Sequence, residues 1–322
     1  MQTHGLDFTP PRYPVLDYRS AVYTGGSCFA LNLGSELQSE GFDIQFHPFG
    51  IVYSPLPMLR QFQRILDGRL YGMEDLHLEN EIWISYDHHS EFAGTDAQQV
   101  LARINAALGQ SKKALDSAGL LLLTFGSART FFMAGYENTP VANCHRSPAA
   151  SFTQAMIDPS EMTAAYLDLF AQLRLRNPAL KIVLSVSPVR HLREGLVQNN
   201  RSKARLFMLV EALCEQGEDV HYFPAYELLL DVLRDYRWYG DDFAHPSQAA
   251  VQAISDAFME TCAANETMEF SRRVRQYKRD AAHRPRFPET SAFRAFQSRL
   301  EQAKAKLLTD YPELEARGFF AH

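Results

Sequence analysis

The chain has 322 residues, 46% of them hydrophobic, and a formal net charge of −6 at pH 7. This length allows one large core or two modest ones, and one main domain plus an appendage is the simplest fit, since single α/β domains commonly reach roughly 250 residues. Acidic and basic residues are interspersed along most of the chain, which argues against DNA or RNA as the principal ligand.

The first half of the chain begins with a strand, a tight turn and a helix. An apolar run at 21–25 predicts the strand, and leucines at near-helical spacing predict the helix over 30–40. Residues 42–46 alternate apolar and polar side chains, like a half-buried strand, and a helix is predicted over 56–70. The pattern is that of a βαβα unit.

The alternation of helices and strands continues through the second half. Continuous apolar runs predict buried strands at 120–126, 181–188 and 220–223. Amphipathic patterns predict helices at 101–115, 162–175, from 199 to about 214, 226–236 and 246–263. The sequence therefore predicts an α/β fold, a three-layer α/β/α sandwich with a mainly parallel sheet whose ligands lie beyond the carboxyl ends of its strands.

The composition changes after residue 265. Five basic residues lie between 272 and 279, two prolines follow, and a charged helix resumes at 291–308. We expect a main domain over 1–263 and a helical C-terminal appendage of two helices over 264–322. Its basic residues form either a solvated helical face or a surface that docks an anionic partner.

The chain shows no pattern typical of export, membrane insertion or a cysteine-based site. No signal-peptide pattern begins it, and nowhere do about 18 apolar residues follow one another. The four cysteines are far apart and form no Cys-x-x-Cys pair, which argues against a zinc site and a disulfide framework. We expect a soluble, cytoplasmic protein with free thiols and without a membrane partner.

Ser27 is the candidate nucleophile. It follows Gly25-Gly26 at the end of the first strand and opens a helix, whose N-terminal amides can stabilise an oxyanion. The alternative is that Ser27 only caps that helix. Cys28 is a rival nucleophile at the same helix start, and a small core residue is the alternative for it.

Asp242-x-x-His245 is the candidate partner of Ser27. A carboxylate three residues before a histidine can hold its Nδ1 proton while Nε2 faces a serine. Alternatively, Asp242 caps the helix that begins near Pro246. The adjacent Asp241 leaves open which carboxylate serves.

These residues carry a family resemblance. Residues 26–30, Gly-Ser-Cys-Phe-Ala, resemble the signature of the GSCFA domain, a group similar in outline to the SGNH (GDSL-like) hydrolases, whose sheet is flavodoxin-like. The resemblance spans roughly 20–260. It continues through segments at 47–55, 87–90, 123–126, 142–145, 185–189 and 222–227.

The resemblance implies a Ser27-His245-Asp242 triad, with an oxyanion hole that includes the amides of Ser27 and Gly50. The segment that begins at Gly126 departs from the SGNH pattern, because no asparagine follows this glycine where that pattern has one. Asn143, in the Asn-Cys-His loop that we expect to follow the same strand as Gly126, is the best substitute, since its side-chain amide can donate to an oxyanion. The segment around Ser27 departs too, because Gly26 stands where the GDSL pattern has an aspartate.

His89 and His145 are candidate residues of the substrate pocket. The His88-His89 pair invites a metal hypothesis, but consecutive side chains of an extended segment do not converge on one ion. We expect neither a metal nor another cofactor. Aromatic residues near the proposed loops are further candidates for the pocket: Phe49, Tyr53, Tyr236, Trp238 and Tyr239.

The expected activity is that of a serine esterase. The favoured substrates are small O-acyl esters of small molecules or carbohydrates, with O-acetyl groups on carbohydrate as the class suggested by the SGNH relatives. Two alternatives stay open: an O-acyltransferase that uses the same triad, and a non-catalytic protein that binds a glycan or acyl group.

Overall fold

A five-stranded parallel sheet forms the centre of the fold. The computed structural model describes residues 8–135 and 139–320. The strands of the described residues are β1 (Ala21–Gly26), β2 (Ile44–Phe46), β3 (His77–Glu79), β4 (Ile82–Ile84), β5 (Ala118–Phe125), β6 (Arg129–Met133), β7 (Pro140–Val141), β8 (Phe152–Met156), β9 (Lys181–Val186) and β10 (Val220–Tyr222). The central sheet has the order β10-β9-β5-β1-β2.

Helices cover both faces of this sheet. In the described residues they are α1 (Cys28–Ser39), α2 (Pro55–Asp67), α3 (Ala97–Ser117), α4 (Pro159–Arg176), α5 (Leu196–Gln216), α6 (Ala225–Glu227), α7 (Gln248–Cys262), α8 (Asn265–Ala281), α9 (Ser291–Asp310) and α10 (Glu313–Ala316). None of them combines the length and the apolar character that a membrane span requires.

Two hydrophobic cores lie on opposite faces of the sheet, and strand β5 contributes to both. Leu121 and Leu123 point into the core formed with α2, α3, α4 and α5, whereas Leu120 and Leu122 point into the core formed with α1 and α7. This alternation along one strand explains its continuous apolar sequence, because both faces are buried. The predicted three-layer α/β/α fold with a parallel sheet is confirmed.

Some elements differ from the sequence-based predictions. The helix predicted over 226–236 is the short α6 followed by a π-helical turn at Leu228–Leu233, which ends where Arg234 adopts a φ of 42°. Two small antiparallel sheets, β3-β4 and β7-β6-β8, were not predicted, because their short strands lack a clear alternation of apolar and polar residues.

The C-terminal helices pack against residues 1–263 through both apolar and charged contacts. Phe270 and Val274 of α8 lie in the same core as α1 and α7. Arg275 forms ion pairs with the buried Glu40 at 2.6 Å and with Asp256 at 2.7 Å. The predicted appendage thus has a short third helix, and part of its basic charge is neutralised by carboxylates of residues 1–263.

We predict that Gly26→Ala destabilises the protein. Gly26 has a φ of +130°, and a β-carbon there would lie 2.1 Å from the carbonyl oxygen of Thr124. The free energy of unfolding, measured by urea denaturation, should fall by about 2 kcal/mol or more. Gly109→Ala is the matched control, because a β-carbon at Gly109 in α3 meets nothing within 4 Å and alanine favours helix. Equal stabilities of the two variants would contradict this interpretation.

Candidate active site

The candidate catalytic residues lie at the carboxyl edge of the central sheet. Ser27 directly follows β1, Gly50 lies in the loop after β2, and Gly126 directly follows β5. The Asp242–His245 loop lies between β10 and α7. Parallel strands end at the same edge, so the topology brings segments far apart in sequence to one side of the sheet.

Ser27 occupies the N-cap position of α1, but its side chain forms no capping hydrogen bond. The hydroxyl oxygen is buried and has no hydrogen-bond partner among the described residues. The residue lines a cavity of about 260 Å³. Apolar side chains form much of its wall: Ala30, Leu31, Phe46 and Ile51. A buried hydroxyl without a protein partner at a cavity wall is available to react with a bound molecule.

Asp242 and His245 form a pair with the geometry expected of a base and the carboxylate that orients it. Oδ2 of Asp242 lies 2.6 Å from Nδ1 of His245. Oδ1 accepts hydrogen bonds of 2.9 Å from the amides of His245 and Ala244. These bonds from the amide and ring of His245, and from the amide of Ala244, lower the pKa of Asp242 well below its usual value. The helix cap is a different residue, Ser247, whose side chain accepts from Ala250.

Ser27 and His245 do not contact each other directly. Since the Ser27 hydroxyl has no partner in the described part of the chain, it forms no hydrogen bond with His245, whose side chain is half-exposed. The charge of Asp242 contributes to raising the pKa of Cys28, the residue that follows Ser27. Catalytic hydrogen bonds often tighten only when substrate binds.

The amides of the proposed oxyanion hole already have acceptors. The Ser27 amide donates to the Thr124 carbonyl at 3.0 Å, and the Gly50 amide donates to the His47 carbonyl at 3.2 Å. Gly50 lines the same cavity as Ser27. To stabilise an oxyanion, each amide would share its hydrogen between two acceptors or exchange one for the other.

Asn143 lies in the loop after β7, two strands beyond the β5 segment that the sequence suggested it would follow. Its side-chain oxygen accepts the amide hydrogen of His145 at 2.9 Å, which leaves Nδ2 as the group able to donate elsewhere. The residue lines a second cavity, of about 490 Å³, beside that of Ser27. Ile51 and His89 line both cavities.

The structure separates the two candidate pocket histidines. His89 lies at the junction of the two cavities, and its β-carbon packs against Gly50. His145 lines a different cavity, where Nε2 lies 2.8 Å from the carbonyl oxygen of Ser85, and burial lowers its pKa. His88 is fully buried against Phe49 and bonds Ser85, as expected of a structural residue.

Among the other aromatic candidates, Tyr53 lines the second cavity, whereas Phe49 is fully buried. Tyr239 lies beneath the guanidinium of Arg190, 4.6 Å from ring centroid to Cζ. Tyr236 packs against Tyr239, and Trp238 lies beside Arg237.

Cys28 lacks the environment of a reactive thiol. Burial raises its pKa, which disfavours the thiolate, even though Cys28 is the first residue of α1. All four cysteines are unpaired. Within the described ranges, no three side chains of the His, Cys, Asp and Glu types are placed to hold a metal ion together.

Lys203 and His191 are site residues that sequence reasoning missed. Nζ of the buried Lys203 donates to the carbonyls of Gly126 at 2.7 Å and Ser187 at 2.6 Å. Nε2 of His191 lies 3.2 Å from the same Gly126 carbonyl. Burial lowers the pKa of His191 to about 4, and nearby Lys203 and His245 contribute. The position of His191 shortly after a buried strand could have identified it as a site residue. Lys203 gave no such signal, because it is one of many charged residues on a helix.

We predict that Lys203 makes stability depend on pH. Burial lowers its pKa from 10.5 to about 7, so between these pH values the unfolded chain holds a proton that the folded chain has released. The free energy of unfolding of wild type should therefore rise with pH above about 7, compared with that of Lys203→Met. The difference between the two proteins should grow by at most about 1.4 kcal/mol per pH unit. A neutral amine keeps two N–H donors, so both hydrogen bonds survive.

Urea denaturation at several pH values between about 6 and 9 measures this effect, since the window brackets the lowered pKa. Lys113→Met, at an exposed position of α3, is the control and should run parallel to wild type. Parallel curves for Lys203→Met as well would contradict the predicted burial effect.

A comparison with curated sequences found no match. Similar solved structures include a family 3 carbohydrate esterase from Clostridium thermocellum, at 14% identity and a TM-score of 0.32, covering 79% of this chain and 97% of that one. A carbohydrate esterase family 2 enzyme with a carbohydrate binding domain, from Corynascus thermopiles (Myceliophthora fergusii), is 12% identical with a TM-score of 0.36, covering 79% and 67%.

A family two carbohydrate esterase from Clostridium thermocellum in complex with cellohexaose is also similar, at 16% identity and a TM-score of 0.26. The match covers 44% of this chain and spans only 34% of that one. The model of the GSCFA family matches residues 21–258, which is most of the sequence and includes Ser27, Asp242 and His245. The chain is therefore a member of the GSCFA family.

Proposed function

We propose that the chain is a serine esterase that cleaves small O-acyl esters through an acyl-enzyme intermediate. The observation that carries the proposal is the buried Ser27 hydroxyl, which has no protein partner and lies at the sheet edge shared with a hydrogen-bonded Asp242–His245 pair. A structural serine at a helix start would use its hydroxyl in a cap, and Ser27 does not.

The proposed reaction begins with proton transfer from Ser27. Nδ1 of His245 is held by Asp242, so Nε2 is the basic nitrogen that takes the hydroxyl proton as Oγ attacks the ester carbonyl. The tetrahedral intermediate collapses, and His245 gives the proton to the departing alcohol. Water, deprotonated by His245, then attacks the acyl-enzyme and releases the acid and free Ser27.

The developing negative charge lies at the N-terminus of α1. The helix dipole favours an anion there, and the Gly50 amide and Asn143 Nδ2 are the proposed additional donors. The Ser27 amide contributes if it shares its hydrogen with the Thr124 carbonyl.

The cavity beside Ser27 favours a short acyl group. Its volume is about 260 Å³, and Ala30, Leu31, Phe46 and Ile51 surround much of it. An acetyl group fits such a space, whereas a long chain would extend into solvent. O-acetyl groups on carbohydrate are the proposed natural class, in keeping with the resemblance to SGNH hydrolases.

The exposure of His245 favours hydrolysis over acyl transfer. Half of its side chain is open to solvent, so water can reach the base that activates the second nucleophile. An acyltransferase would have to exclude water from the acyl-enzyme.

We predict that Ser27 reacts with a fluorophosphonate probe and that Ser27→Ala abolishes both labelling and hydrolysis of p-nitrophenyl acetate. His245→Ala should lower kcat/KM by about 10²- to 10⁴-fold, because general base catalysis contributes that much. Mass spectrometry of the labelled peptide locates the modified residue. Cys28→Ala is the control, since it removes the neighbouring nucleophile and should keep activity. Labelling that is unaffected by His245→Ala would refute the triad.

We predict a separate kinetic effect for Asn143→Ala. If Nδ2 donates to the oxyanion, kcat should fall by about 10²-fold or more with little change in KM, because the bond strengthens only in the transition state. Steady-state kinetics with p-nitrophenyl acetate separate the two constants. Asn177→Ala is the control, since that side chain donates to the Leu115 and Ala118 carbonyls away from the candidate site. An unchanged kcat in Asn143→Ala would exclude this residue from the oxyanion hole.

A further inference from the structure

The cavity next to that of Ser27 has a basic wall. Three arginines line it: Arg129 at the start of β6, and Arg190 and Arg193 in the loop after β9. One carboxylate, Glu194, lines it as well. Three guanidinium groups against one carboxylate leave a net positive charge in a cavity of about 490 Å³.

These arginines have no acidic partner in the part of the chain that the structure describes. In the described residues, none of the three forms an ion pair with a carboxylate. Arg129 donates to the neutral side chain of Gln154 at 3.2 Å, and the guanidinium of Arg190 lies over the ring of Tyr239. Arg193 is exposed. By contrast, Arg64, Arg176 and Arg275 each pair with an aspartate or glutamate. The arginines of the cavity therefore keep their donors available for a ligand.

The basic cavity lies on the side of the site from which the alcohol would leave. The Arg190 amide donates to the Ala244 carbonyl at 3.2 Å, which joins the β9 loop to the loop that carries His245. His191, which follows Arg190 in the sequence, also lines the cavity, and His245 contributes to lowering its pKa. In the proposed reaction His245 protonates the leaving alcohol, so that group lies toward His245 rather than in the apolar cavity beside Ser27.

We propose that the substrate carries an anionic group, a carboxylate or a phosphate, on its alcohol portion, and that Arg129, Arg190 and Arg193 bind this group. This inference rests on the proposed esterase activity and adds the chemical class of the substrate. The acyl group occupies the apolar cavity and the charged alcohol portion occupies the basic one. Guanidinium groups suit this role because their N–H donors match the oxygens of a carboxylate or phosphate.

Three acetate or succinate esters test where the charge must lie. 4-Acetoxybenzoate has a carboxylate on its alcohol portion, 4-acetoxybenzamide is its neutral match, and phenyl hemisuccinate has its carboxylate on the acyl portion. For wild type, kcat/KM should be about tenfold or more higher for 4-acetoxybenzoate than for the amide, because hydrogen bonds to charged groups contribute that much. The carboxylate of phenyl hemisuccinate should not raise kcat/KM above that of the neutral ester. Added salt should reduce the preference for 4-acetoxybenzoate over 4-acetoxybenzamide.

Variants of the wall residues test the assignment. Arg129→Gln and Arg193→Gln should each lower the ratio of kcat/KM between 4-acetoxybenzoate and 4-acetoxybenzamide several-fold, and the double variant by about 10- to 100-fold. Glu194→Gln should raise the ratio, because it removes the carboxylate of the wall. Arg272→Gln, an exposed arginine on α8, is the matched control and should leave the ratio unchanged. A wild-type ratio near one, or a ratio insensitive to the two arginines, would overturn the inference while leaving the esterase proposal intact.

Direct binding separates this inference from the esterase proposal. Isothermal titration of Ser27→Ala with 4-acetamidobenzoate and with 4-acetamidobenzamide measures anion recognition without turnover. Tighter binding of the carboxylate, lost in the Arg129→Gln/Arg193→Gln background, would support the anion site even if wild type hydrolyses neither ester. Equal affinities for 4-acetamidobenzoate and 4-acetamidobenzamide would overturn the inference of an anion site.

Discussion

Strands β1 and β5 end so close together that the chain has no room for side chains at their junction. A β-carbon on Gly26 would lie 2.1 Å from the Thr124 carbonyl oxygen, and one on Gly126 would lie 3.1 Å from the β-carbon of Ser27. This close approach fixes where β1 turns into α1. It holds the Ser27 hydroxyl at a buried position of the sheet edge, at the start of a helix and without a protein partner. The proposed chemistry depends on that position.

The neighbouring loops are tied to this junction by hydrogen bonds. Lys203 joins the Gly126 carbonyl to the Ser187 carbonyl, so the ends of β5 and β9 are held together by one buried side chain. His191 approaches the same Gly126 carbonyl, and the amide of Arg190 bonds the loop that carries His245. Ser27, His245 and the basic cavity are therefore positioned by a connected set of contacts, and the Asp242–His245 pair at its outer end is half-exposed. A substrate that spans both cavities would contact Ser27 in one and the three arginines in the other.

Sequence patterns predicted the inner strands β1, β5 and β9 of the central sheet well because these strands are buried on both faces. The apolar run of β5 has leucines in both hydrophobic cores, and no amphipathic helix explains such a run. The patterns failed for the short strands outside this sheet, and that failure misplaced Asn143. It was expected to follow β5 directly, but β6 and β7 intervene and place it in the cavity next to that of Ser27. Short strands of two to five residues carry too little periodicity to be recognised.

The sequence by itself determined the order of the elements of the central sheet, the glycine turn before Ser27 and the reach of a carboxylate to His245, whereas the structure decided that this carboxylate is Asp242 and not Asp241. Each of these is local: a turn needs particular backbone angles, and a carboxylate three residues before a histidine can reach its ring. Only the tertiary structure decided that Lys203 is buried at the ends of two strands, and that Arg129, Arg190 and Arg193 line one cavity. Their positions depend on how distant segments pack together, and a charged residue has the same local pattern whether it faces solvent or a cavity.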